Sequence, residues 1–135
     1  MSRIRSKNTS PEIRMFMELK GRGLKFQRHY KLYGKPDVVF KKEKLAIFID
    51  GDFWHGYNWI KLGIIPSKGF WQEKISRNMA HDKKVNKKIS KLGWRVIRIW
   101  EHEINDNPKI CTDRIISKLD RIRKLNLKTD KTNQS

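Results

Sequence analysis

Cysteine is nearly absent: Cys111 is the only one in 135 residues. That excludes an internal disulfide and any multi-cysteine zinc site. Long apolar runs are missing too. Nothing approaches the roughly 20 residues of a membrane span, and the N-terminus has no apolar signal core. No membrane partner is expected, and the expected location is the cytoplasm, on the nucleoid. There is no internal repeat and no interdomain linker. Residues 1–127 therefore read as one domain with a modest core. Residues 128–135 (KTDKTNQS) have the polar composition of a disordered tail.

Acids are scarce. The chain has 14 Asp+Glu against 32 Lys+Arg, a formal net charge of +18. A field of that sign attracts phosphate backbones and holds them in a salt-dependent way. An anionic membrane is a poorer partner, because no basic amphipathic helix stands apart. Nucleic acid is the expected partner. The plainer alternative is a basic protein with only nonspecific adhesion.

What is present has a clear order. Residues 1–8 (MSRIRSKN) form a basic arm without periodicity. Thr9-Ser10-Pro11-Glu12 is a helix start. Ile13, Phe16 and Met17 then share a face, and Gly21 and Gly23 end the helix. Residues 26–33 alternate, with Phe26, Arg28, Tyr30 and Leu32 on one side, which predicts a half-buried strand. His29 reads as a surface residue there. Pro36 suits a strand entrance. Residues 37–40 form a short strand and 41–44 a hairpin turn. Residues 45–49 form a continuous apolar strand covered on both faces. After a loop over 56–69, a basic helix spans 70–92. Its apolar face (Ile75, Met79, Val85, Ile89, Leu92) is interrupted by Asp82. Residues 94–100 (WRVIRIW) make a strand. Asn105-Asp106-Asn107-Pro108 starts a C-terminal helix. The order α-β-β-β-α-β-α predicts an α/β fold: a mixed central sheet flanked by helices.

The chemistry gathers in residues 34–59 (GKPDVVFKKEKLAIFIDGDFWHGYNW). Antiparallel pairing across the hairpin brings Asp37, at the start of one strand, toward Asp50, at the end of the next. Paired acids with a nearby backbone carbonyl suit magnesium. Such a metal polarises a phosphodiester and orients water. His55 is placed to take the proton from that water. Phe53 and Trp54, and later Phe70 and Trp71, are aromatics beside a basic surface, a pattern that stacks on bases or wedges between them. Singly, each residue has an ordinary reading. Asp37 caps a turn, Asp50 and Asp52 flank a glycine turn, Glu12 completes a capping box, and the aromatics are core.

Five segments together carry a resemblance: SRIRSKNTSPE, GKPDVVF, AIFIDGDFWHG, FWQEKISRNMAHDKKV and LGWRVIRIWE. They cover residues 2 to about 104. In order and approximate spacing they resemble the very short patch repair (Vsr-type) mismatch endonucleases. That family is built on the PD-(D/E)xK, restriction-endonuclease-like αβββαβ core. The resemblance implies a magnesium-dependent nick of one DNA strand, 5′ to the thymine of a T·G mismatch. It implies that Asp37 is the metal-binding catalytic aspartate and that the Ile49 carbonyl is a backbone metal ligand. It implies that His55 is the catalytic histidine and Glu12 the helix glutamate near the metal's waters. Phe53, Trp54 and Trp71 match the aromatic wedge into DNA.

This chain departs from the family pattern in two places. Asp50 stands where the family commonly has histidine, and is expected to bind metal directly. The positions of the family's zinc ligands hold Asp52, Tyr57, Trp59 and His102, so no structural zinc is expected. A hydrogen bond between Asp52 and His102 is expected to replace it. No lysine follows the second acid, which leaves His55 as the base. The expected protein is a monomeric Mg2+-dependent endodeoxyribonuclease acting on mismatched double-stranded DNA, with repair proteins as further partners. The alternatives are a restriction-like or structure-specific nuclease of the same fold, and a noncatalytic DNA-binding module.

Overall fold

The computed structural model describes residues 10–52, 56–57, 63 and 69–134. In chain order the elements are α1 (Ser10–Gly21), β1 (Val38–Phe40), β2 (Leu45–Asp50), α2 (Gly69–Lys91), β3 (Arg95–Trp100), α3 (Glu101–Asp106) and α4 (Pro108–Gln134). The strands form one mixed sheet. β2 is central, antiparallel to β1 and parallel to β3. This is the expected α/β sheet flanked by helices, with a C-terminal helix added.

β2 explains the layering. Leu45 and Ile47 join Val38, Phe40 and Ile99 in a core shared with Met15 and Leu19 of α1 and Ile115 and Leu119 of α4. Ala46 and Phe48 point the other way, into a second core with Val39, Val85, Ile89 and Trp94. Alternation along one strand thus feeds two cores, and the strand reads as an unbroken apolar run. Ile47 is 0% exposed. Truncating such a residue to alanine costs about 2–5 kcal/mol. The hairpin before β2 closes through the Lys44 amide, which donates to the Lys41 carbonyl at 3.2 Å.

Two sequence expectations are corrected here. The buried stripe of α1 is Glu12, Met15, Phe16 and Leu19, while Ile13 and Met17 are 44% and 68% exposed. The stripe 12-15-16-19 obeys helical spacing as well as 13-16-17 does. The charged residue in it is what hid it. The second correction concerns residues 26–33. They are not a strand; only Gln27 pairs, as one antiparallel bridge to Val39 with both amide bonds at 2.9 Å. Phe26 packs on the α1/α4 core, whereas Tyr30, Leu32 and Tyr33 pack on the α2 core. The chain therefore passes around the β1 edge from one side of the sheet to the other. His29 takes a left-handed φ of 58° in between. Alternating polarity came from serving two cores in succession.

The remaining boundaries follow local chemistry. α2 ends in a Schellman motif: Trp94 N–H donates to Ile89 O at 3.2 Å and Gly93 N–H to Ser90 O at 3.0 Å. Gly93 supplies the φ of 91° that this closure requires. The Glu103 carboxylate accepts from the Trp100 amide at 3.0 Å and caps α3. Asn107 Oδ1 accepts from the Ile110 amide at 3.2 Å, with Pro108 opening α4 as the sequence indicates. α4 is continuous to Gln134, through the residues whose composition reads as a tail. No helix among the described residues is long and apolar enough to cross a membrane.

Candidate active site

Val38 pairs with Ile47, so Asp37 lies beside the C-terminal half of β2. Its amide donates to the Ile47 carbonyl at 3.0 Å. Its carboxylate Oδ2 accepts from the Ile49 amide at 2.7 Å. Backbone therefore fixes the side chain on both sides. Asp50 shares parity with Phe48, on the α2 side of the sheet. Glu12, from α1, lines the same cleft as Asp37 and is 9% exposed.

Burial pushes the Asp37 carboxyl up to about 7. The Ile49 amide opposes the rise, the Glu12 and Asp50 carboxylates add to it, and Arg98 opposes it. The two neighbouring carboxylates are close enough to act on the Asp37 charge. Perturbation by burial plus named charges inside a cleft is a mark of functional sites. The cleft, about 880 Å³, is lined by Glu12, His29, Lys31, Tyr33, Lys35 and Asp37 among others. His29, Lys31 and Lys35 are exposed. His29 and Lys35 hold left-handed φ values of 58° and 53°. Such backbone costs about 1–3 kcal/mol per residue and clusters at functional sites.

The donor set suits a hard cation. No three His, Cys, Asp or Glu side chains gather into a metal cage among the described residues. Magnesium does not need one: it keeps several waters and is commonly held by one or two carboxylates. Asp37, the adjoining Ile49 backbone and Glu12 offer oxygen only, which fits magnesium and not zinc.

Asp50 is paired with a cation inside the structure. It is 5% exposed. Both its oxygens accept from Arg98 Nη1, at 2.9 and 3.1 Å. Arg98 also donates through Nε to Asn86 Oδ1 at 2.7 Å, and lies 3.5 Å from Asp82 Oδ1. Sequence reasoning missed Arg98. The signal was there: an arginine inside the apolar run VIRIW, a lone acid ending β2, and an acid interrupting the apolar face of α2. Each is a misfit alone, and together they form one ion cluster with Arg98 between two acids.

Asp52 Oδ1 lies 2.9 Å from His102 Nδ1, the pair the sequence connects. The Tyr57 ring packs on His102 at 4.2 Å and on Trp100 at 5.1 Å between centroids. The Tyr57 amide donates to the Asp52 carbonyl at 2.9 Å. Asp52, His102 and Tyr57 are thus joined by a hydrogen bond and ring packing. Trp59 lies outside the described residues, as do His55, Phe53 and Trp54. Trp71 is half-buried in the first turn of α2.

The family model "DNA mismatch endonuclease Vsr" matches residues 1–61. Similarity to curated proteins runs much further. The type II nicking enzyme V.HpaIIP of Haemophilus parainfluenzae is 41% identical over 108 residues, 78% of this chain and 77% of that protein. The type II nicking enzyme V.NmeDIP of Neisseria meningitidis serogroup C is 36% identical over 114 residues, covering 82% and 77%. The DNA mismatch endonuclease Vsr of Escherichia coli (strain K12) is 30% identical over 122 residues, covering 89% and 78%. With that identity over most of its length, the chain belongs to the Vsr family of DNA mismatch endonucleases.

Proposed function

We propose that this endodeoxyribonuclease nicks one strand of duplex DNA at a T·G mismatch and uses magnesium to do so. The observation that carries the reading is the Asp37 carboxyl, fixed by the Ile49 amide and crowded by two further acids inside a cleft with a basic rim. In this reading Asp37 and the Ile49 carbonyl hold the metal, and Glu12 orders its waters. When bound, the metal supplies Lewis acidity toward the scissile phosphate and its leaving oxygen. His55 accepts the proton of the attacking water. Phe53, Trp54 and Trp71 wedge into the base stack beside the cut.

Lys31 and Lys35 resolve an electrostatic difficulty. Carboxylates alone repel a phosphodiester. Exposed cations on the same cleft wall bring the backbone within reach of them. The basic face of α2, including Lys83, Lys87 and Lys91, extends the field along the duplex.

A second reading is favoured by the relatives named type II nicking enzymes. In it the strand is cut at a short sequence whether or not a mismatch is present. Duplexes end-labelled on each strand separately distinguish the two, at near-physiological salt with magnesium. A single nick beside the mismatched thymine, absent from T·A and C·G controls, is expected. Equal nicking of matched duplex would replace the first reading with the second.

A further inference from the structure

We propose that Arg98 is a positioning residue that holds Asp50 as a fixed supporting anion, so that Asp50 is not itself a metal ligand. The proposal deepens the metal reading of Asp37 and rests on it.

Arg98 gathers groups from three elements. It stands opposite Phe48 in the parallel register of β2 and β3, and its guanidinium lies 4.3 Å from the Phe48 ring centroid. Nη1 binds both oxygens of Asp50, at the end of β2. Nε binds Asn86 Oδ1, and Nη2 lies 3.4 Å from the Asp82 carbonyl. Asp82 and Asn86 are one helical turn apart on α2. One side chain therefore ties the end of the catalytic strand to the basic helix. Four of its five N–H donors thus have protein acceptors, which makes it a structural tie before it is a phosphate contact.

The charge balance points the same way. The Arg98 and Asp50 side chains are only 19% and 7% exposed. A dication bound directly to Asp50 would stand beside a guanidinium charge already placed on that carboxylate. Little water is available to screen the repulsion. Among the described residues no cation bonds to the Asp37 oxygens; Oδ2 takes a neutral amide. Asp37 is thus the better metal ligand, and Asp50 acts on it through space and through the strand end. The Asp50–Arg98 pair also keeps β2 seated where the Ile49 amide orients Asp37. This is the arrangement in which an outer partner tunes a metal site without touching the metal.

The test is binding of Mn2+ alone, followed by electron paramagnetic resonance and calorimetry, with the full chain and no DNA. Asp50→Asn keeps an acceptor for Arg98 and is expected to bind Mn2+ within about threefold of wild type. Asp37→Asn is expected to lose more than about tenfold. Equal losses in both variants would make Asp50 a ligand and overturn the proposal. No loss in either would overturn the metal reading beneath it. Cleavage gives a second readout. Arg98→Met is expected to lower kcat by about 10–100-fold with KM for DNA little changed, and Arg98→Lys to recover part of that loss. If Arg98→Met raises KM and leaves kcat intact, Arg98 is a DNA contact instead. Circular dichroism melts confirm that the compared variants are folded.

Discussion

Replacing Asp37 with asparagine should make the metal-free protein more stable at neutral pH while abolishing its chemistry. The carboxyl stands at about 7 rather than the ordinary 3.8, chiefly because burial disfavours its charge. The folded state therefore binds this proton more tightly than the unfolded state does. Its contribution is complete below 3.8 and is lost as pH rises through about 7. Between pH 5 and about 7 the loss is about 1.4 kcal/mol per pH unit, or about 2–3 kcal/mol. Residual water contact of a half-buried group pulls the value toward the lower figure. For a chain of this size that is about 6–9 °C in Tm. Asparagine keeps an oxygen acceptor for the Ile49 amide and has no charge to desolvate. The assay is thermal or urea unfolding in chelator from pH 5 to 8, wild type beside Asp37→Asn. The difference between the two should widen with pH, in favour of the variant. Magnesium at pH 8 should close the gap by stabilising wild type alone. Parallel pH profiles would refute the reasoning.

Other consequences are open to similar checks. The Lys31→Ala/Lys35→Ala variant should weaken DNA binding in all sequence contexts. It should also flatten the dependence of log affinity on log salt by about 1–2, read by fluorescence anisotropy. Gly34→Ala should lower stability by at least about 1–3 kcal/mol in urea melts. Gly34 has φ of 83°, and an added Cβ would collide with Val85 Cγ1. Elemental analysis after dialysis against chelator should find no stoichiometric zinc, since Asp52 and His102 are paired with each other and supply two donors where a structural site needs four. One retained equivalent would overturn that view. His102→Ala should lower Tm by about 3 °C, through loss of about 1 kcal/mol from the Asp52 hydrogen bond.

Much of this was legible in the sequence because the signals were local. The unbroken run over Leu45–Ile49 announced a central strand. Asn107-Pro108 announced the start of α4, and Gly93 the end of α2. Pro36-Asp37 and Ile49 lie close together once a four-residue hairpin turn joins their strands. Other features were hidden because they depend on which face a residue serves. Glu12 hid the true stripe of α1 by being a charge within it. Phe26, Tyr30 and Leu32 mimicked a strand by packing on opposite sides of the sheet around its edge. Arg98, Asp50 and Asp82 are far apart in sequence, and each looked like a local exception. Periodicity registers a charge on an apolar face as noise. Only tertiary contact shows that three such exceptions meet.

The central claim is that cutting depends on the carboxylate of Asp37. Its most direct test measures binding and nicking in parallel, with wild type and Asp37→Ala on the same labelled T·G duplex in magnesium. The account predicts that Asp37→Ala binds the duplex with near-normal affinity and leaves both strands intact, while wild type nicks one. Nicking of equal rate by both proteins would contradict it.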